Sequence, residues 1–167
     1  MTARALLKLR DDERGASLIE LALALPFMAV IVIGMADLSR AYSMKLMLEQ
    51  ASQRAVEKVE NQRSVSTAGY NTDLQTEATS AMTAAGYSTG NSYTPDSWLE
   101  CSSDSGASWT RQSDFNGSCP NASDLTARYV SMRVSRNFVP MFTSRAWPGA
   151  NADGTITVSG FAEVRMQ

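Results

Sequence analysis

Hydrophobic and polar positions divide the chain into three regimes. From Ala16 to Ala36 the sequence reads ASLIELALALPFMAVIVIGMA, an apolar run with a single charge. At ~1.5 Å per residue a helix of this length crosses the ~30 Å of bilayer hydrocarbon. After Asp37 the apolar residues recur at helical spacing, through Leu38, Ala41/Tyr42, Met44/Lys45, Leu48, Ala51/Ser52, Ala55 and Val59, with Arg54, Glu57, Lys58 and Glu60 off the stripe. No Pro or Gly interrupts the chain between Gly34 and Asn61. The pattern therefore predicts that the apolar helix continues as one rod of roughly 45 residues, about 65 Å long. Its narrow stripe needs a cover, either a sheet from the same chain or a neighbouring helix.

The remainder is polar and turn-rich. Residues 61–71 read as a connector, and a second, shorter helix is predicted over 72–85, opening on Thr72-Asp73-Leu74-Gln75 as a capping box and stopping at Gly86. From Tyr87 to Ala122 the composition predicts a loop with scattered aromatics, in which 98–100 and 107–109, flanking SSDSG, form at most a weak hairpin. Two clearer strands follow. Val130, Met132, Val134 and Phe138 alternate with polar residues over 129–138, and Ile156, Val158, Ala162, Val164 and Met166 do so over 155–166. Between them Met141, Phe142 and Trp147 either pack on the sheet edge or form a contact surface. The expected fold class is α+β: a long helix, transmembrane then amphipathic, on a small antiparallel sheet, with a second short helix and a tied loop. The expected segments are a basic leader over 1–15, the transmembrane helix over 16–36, its continuation over 37–60, and a globular domain over 61–167.

Composition narrows the chemistry. Net charge is −2 and the isoelectric point is near 5.2, with no basic patch, which excludes nucleic acid as a partner. The chain contains no histidine, so the commonest general base and transition-metal ligand is missing. No spacing matches a Ser–Lys, paired-carboxylate or metal constellation, and neither an enzyme nor a cofactor is expected. Asp104, Asp114 and Asp153 sit in turn-like contexts that Asx turns explain, with a calcium site as the alternative. Cys101 and Cys119 lie in the polar stretch, too far apart for a CxxC motif. In an oxidising compartment they read as a disulfide closing about eighteen residues, worth ~3 kcal/mol by chain entropy; two buried, reduced thiols are the alternative.

The apolar run departs from a cleaved secretory signal, whose hydrophobic stretch is ~7–15 residues and ends at an A-x-A-like site. Its one charge, Glu20, costs about 2.5–3.5 kcal/mol at the bilayer centre and less near the interface. It either reaches for the headgroups or meets a positive charge from elsewhere. Pro26 removes one helical donor and frees the carbonyl of Ala22, which predicts a kink or local loosening, with or without consequence. Four cations precede the run (Arg4, Lys8, Arg10, Arg14) and three follow it (Arg40, Lys45, Arg54), a difference too small to orient the span.

The string Arg14-Gly15-Ala16-Ser17-Leu18-Ile19-Glu20, between a basic leader and a long apolar helix, resembles a prepilin-type signal. The longer stretch DERGASLIELALALPFMAVIVIGMADLSRAY, with the amphipathic helix after it, is similar to the TadE-like minor pseudopilins of tight-adherence (Flp/Tad) type IV pilus assembly. That resemblance implies a pilin-like fold and a cut by prepilin peptidase between Gly15 and Ala16, leaving the helix on the mature protein with Glu20 as its fifth residue. It also implies that Glu20 meets the amine of a neighbouring subunit, and that the partners are other pilins or pseudopilins, the peptidase and the inner-membrane assembly machinery. The implied location is the bacterial inner membrane, N-terminus cytoplasmic and domain periplasmic, or the pilus itself, with a part in cell adhesion. The alternative is a signal-anchored extracytoplasmic binding or sensor domain, which needs neither Gly15 nor Glu20.

Overall fold

The computed structural model describes residues 14–61, 67–141, 145 and 148–166; for 14–17 and 67–69 it describes the backbone alone. Helix α1 spans Arg14–Glu60 and helix α2 spans Thr67–Ala84. Strands β1 (Asn91–Ser102), β2 (Thr110–Gln112), β3 (Leu125–Phe138) and β4 (Ile156–Arg165) follow. All strand pairings are antiparallel, in the order β2-β1-β3-β4. The architecture is α+β, as the hydrophobic pattern predicted. The chain separates into two compact units, one ending at Arg40 and one beginning at Ala41.

The second unit is built around the stripe on the C-terminal half of α1. Leu48, Ala51, Ala55, Val56 and Val59 are buried with Tyr70, Leu74, Ala78 and Met82 of α2 and with Val130, Met132 and Val134 of β3. Each large side chain so covered contributes about 1.5–3 kcal/mol. Ser52 interrupts the stripe without disrupting it, because its hydroxyl donates to the Leu48 carbonyl at 2.9 Å. The stripe is partly covered at Met44 and fully buried from Leu48 onward, whereas Leu38 and Tyr42, read as part of it, are exposed.

Small residues on β4 set how closely α1 approaches. Gly160 pairs with Val134 across the sheet and faces α1 with no side chain of its own. A Cβ at this position would fall inside the backbone of Leu48 and Glu49, far below van der Waals separation. Gly160 is therefore the one inward position of β4 where the alternating pattern must lapse.

Helix α2 starts five residues before the predicted capping box. Thr72 lies inside it, and its carbonyl accepts the Thr76 hydroxyl at 2.8 Å. Tyr70, buried in the core, extends the helix upstream into what was read as connector. The predicted stop is where the structure ends it. Gly86 adopts φ +87°, Tyr87 N–H donates to Met82 O at 2.8 Å and Gly86 N–H to Thr83 O at 3.0 Å, a Schellman closure.

Strand β1 is the main departure from the expected loop over 87–122. It pairs with β3 along its whole length, from Asn91↔Arg136 to Ser102↔Leu125. Pro95 obscured it. β2 reaches only to Leu99, so the outer edge at Pro95 is open and the missing N–H breaks no ladder. The hairpin is real but displaced, with Thr110–Gln112 rather than 107–109 as its return. Strands β3 and β4 match the predicted alternation, β3 starting four residues earlier. Met141 is exposed, whereas Phe142 and Trp147 lie outside the described residues.

Candidate functional site

The N-terminal half of α1 carries the candidate site, and its side chains are bare. From Leu18 the helix presents Leu21, Leu25, Phe27, Val30 and Val32, each more than half exposed, and none of its apolar window is buried. Apolar surface of this extent on one helix needs lipid or other helices around it, because water penalises it at about 25 cal/mol per Å². The helix is long and apolar enough to cross a membrane. It continues through Pro26, so the loosening expected there does not end it.

Glu20 is exposed among these apolar neighbours, two residues after Leu18, the first described side chain. Gly15 and Ala16 lie in the first turn of α1; the surroundings of that turn and the leader before it are outside the described residues. The apolar stretch ends at a charged border. Arg40 and Asp37 form an ion pair at 3.1 Å, and one turn further Lys45 pairs with Glu49 at 2.9 Å. Both are neighbours on one helical face, a geometry worth only ~0.2–0.5 kcal/mol, so they mark where polar surroundings begin more than they hold the helix.

The disulfide reading is the one the structure shows: Cys101 and Cys119 are bonded, tying the end of β1 to the loop before β3. The three aspartates serve their own turns. Asp104 accepts the hydroxyl of Ser108, the Ser108 N–H at 2.9 Å and the Ser102 hydroxyl at 2.7 Å. Those bonds, the Ser108 hydroxyl first, hold its carboxyl well below the usual carboxylate range. Asp153 is lowered in the same way by the hydroxyl and N–H of Thr155. Asp114 accepts the Asn116 N–H at 3.0 Å. Among the described residues no group of three His, Cys, Asp or Glu side chains could hold a metal ion.

The outward face of the sheet holds an arrangement that the scattered aromatics did not announce. Trp98 stacks on Tyr129 with ring centroids 5.4 Å apart, and the Arg111 guanidinium lies 4.3 Å above the indole. Arg111 is held in turn by Asp96 at 2.6 Å, and the indole N–H donates to Glu100 at 3.0 Å. Arg133 covers Phe161 in the same manner at 4.8 Å. Cations over the rings shield these aromatics. The cross-strand pairs Trp98↔Tyr129 and Arg133↔Phe161 could be read only once the register was known.

Residues 15–57 match the family described as TadE-like protein, about a quarter of the chain. No curated protein and no solved structure matches it. The matched segment covers the apolar helix, Glu20, Pro26 and most of the stripe buried in the second unit. The match suggests an association with the tight-adherence pilus and its components.

Proposed function

We propose that the chain is a minor pilin or pseudopilin that acts by position in the assembly of a tight-adherence type IV pilus. The observation that carries this reading is the uncovered apolar helix of α1, with Glu20 as its only charge from Leu18 to Ala36, lying within the TadE-like segment. A carboxylate in a low-dielectric surround is stabilised only when a cation meets it, so a subunit out of register is penalised and one in register favoured. The partner cation is the N-terminal amine that prepilin peptidase frees by cutting between Gly15 and Ala16. Pro26 gives the packed helices a point of adjustment. The Cys101–Cys119 bond supports a domain on the oxidising, periplasmic side, which leaves the leader in the cytoplasm. The second unit then presents its surface to other pilus components.

The test substitutes Glu20. Glu20→Ala and Glu20→Gln are expected to insert into the inner membrane at wild-type abundance while pilus number falls at least tenfold. Normal piliation with either variant, at normal abundance, would overturn the pairing. An anchored sensor domain would be indifferent to both substitutions.

A further inference from the structure

The loop between β2 and β3 contains two N-x-S/T sequences, Asn116-Gly117-Ser118 and Asn121-Ala122-Ser123, and the structure treats them differently. The first sits on a turn held from behind. Phe115 is buried against Tyr70, with ring centroids 5.4 Å apart in an edge contact. Arg128 donates through Nε to the Phe115 carbonyl at 3.0 Å and through Nη2 to the Gly117 carbonyl at 3.2 Å. Asp114 closes the turn by accepting the Asn116 N–H on its carboxylate and the Gly117 N–H, at 3.2 Å, on its carbonyl. A side chain at 117 would crowd the Asp114 carbonyl, so the small central residue suits the turn. With its backbone fixed inward, the turn leaves the side chains of Asn116 and Ser118 exposed.

Asn121 is also exposed, but its carboxamide is occupied. Nδ2 donates to both carboxylate oxygens of Asp124 at 3.3 Å, and its N–H to Oδ2 at 3.2 Å. Glycosylating Asn121 would break into that pairing, whereas Asn116 offers its carboxamide at the tip of an anchored turn. The neighbouring Cys119 is in a disulfide, which supports an oxidising compartment for this loop.

We propose that Asn116 is an N-glycosylation acceptor, modified outside the cytoplasm by an oligosaccharyltransferase using a polyprenyl-diphosphate-linked oligosaccharide. The site rests on the extracytoplasmic placement of the domain but not on its incorporation into a pilus. In the transfer, Nδ2 of Asn116 attacks the anomeric carbon of the first sugar. The bond between that carbon and the phosphate oxygen breaks, polyprenyl diphosphate leaves with the electron pair, and one amide proton passes to a base of the transferase. The product is an N-glycosidic bond, with no oxidation or reduction. Ser118 supplies the hydroxyl that defines the acceptor sequence. A glycan here would mark the β2–β3 loop as a solvent-facing side of the domain.

The experiment maps the full-length protein purified from its native membrane. After reduction, tryptic cleavage at Arg111 and Arg128 yields one peptide containing both sequences. The expected result is a glycan on that peptide, located at Asn116 by fragmentation, lost in Asn116→Gln and in Ser118→Ala, and retained in Asn121→Gln. An unmodified peptide, deamidation alone at Asn116-Gly117, or a glycan that survives Asn116→Gln would overturn the proposal. The same digest reports the N-terminus, and an unreduced aliquot of the same protein reports the disulfide. An uncut N-terminus with a glycan at Asn116 sinks the pilin reading alone, and a cut, disulfide-bonded chain without glycan sinks this proposal alone.

Discussion

Replacing Gly160 with alanine isolates one steric contact. The residue has no positive φ, so alanine meets no backbone strain, and the whole effect arises where the new methyl group meets the Leu48–Glu49 backbone. Relief requires β4 and α1 to separate by roughly 1 Å or more, because the new Cβ would otherwise lie far inside van der Waals separation from the Leu48 carbonyl carbon, and such a gap forfeits about half of each dispersion contact across it. A buried leucine makes ~40–60 such contacts of ~0.1–0.2 kcal/mol, so the side of Leu48 facing β4 loses on the order of 1 kcal/mol. Met44, Ala51, Val158 and Ala162 line the same seam and together lose roughly 1–3 kcal/mol more. Reduced freedom of the unfolded chain returns ~0.4–1 kcal/mol. The net destabilisation is about 2–3 kcal/mol, at the upper end of the overpacking range. In thermal unfolding of the unit from Ala41 onward, followed by circular dichroism, this corresponds to a midpoint lowered by roughly 10 °C. Ser159→Ala, on the opposite face of β4, is expected to leave the midpoint within ~2 °C. A Gly160→Ala midpoint equally close to wild type would refute the close helix-on-sheet seat.

Removing the disulfide with Cys101→Ser and Cys119→Ser is expected to destabilise the same unit by ~3 kcal/mol in denaturant unfolding, and reduction of the wild type to match it. Equal midpoints with and without reductant would contradict this. Gly86→Ala forces a side chain into φ +87° at the end of α2 and is expected to cost about 1 kcal/mol, measured the same way; a neutral result would count against the Schellman closure. Asp104 has a folded-state pKa below its unfolded value, so its stabilisation is present above the ordinary carboxylate range and is lost as pH falls through and below it. Asp104→Asn should therefore lower the unfolding midpoint at pH 7 and converge towards wild type as the solution is acidified, and a pH-independent difference would refute the linkage.

How much of this was legible in the sequence depended on the reach of each signal. The long helix was legible because the apolar run over 16–36, the 3.6-residue stripe after Asp37 and the absence of Pro and Gly between Gly34 and Asn61 are local properties, and β3 and β4 because Val130 to Phe138 and, apart from Gly160, Ile156 to Met166 alternate. β1 was not. Its inward positions include Ser97 and Pro95, and pairing with β3 decides its conformation against its own composition. The start of α2 was missed because Thr72 and Gln75 imitate a capping box that tertiary packing of Tyr70 overrides. Of the candidate site, Glu20 and Pro26 were visible as exceptions within an apolar run, and the Cys101–Cys119 bond as the pairing of the chain's two cysteines. The seat at Gly160 and the arginine-capped aromatics at Trp98 and Phe161 depend on register and crossing, which no single segment encodes.

The central claim is that the apolar helix belongs to a processed pilin-type subunit rather than to a simple anchor. Intact-mass and N-terminal peptide analysis of the protein from cells with and without prepilin peptidase tests it most directly. The account predicts a chain beginning at Ala16 when the peptidase is present and retention of the leader when it is deleted. A leader still attached in peptidase-competent cells would contradict it.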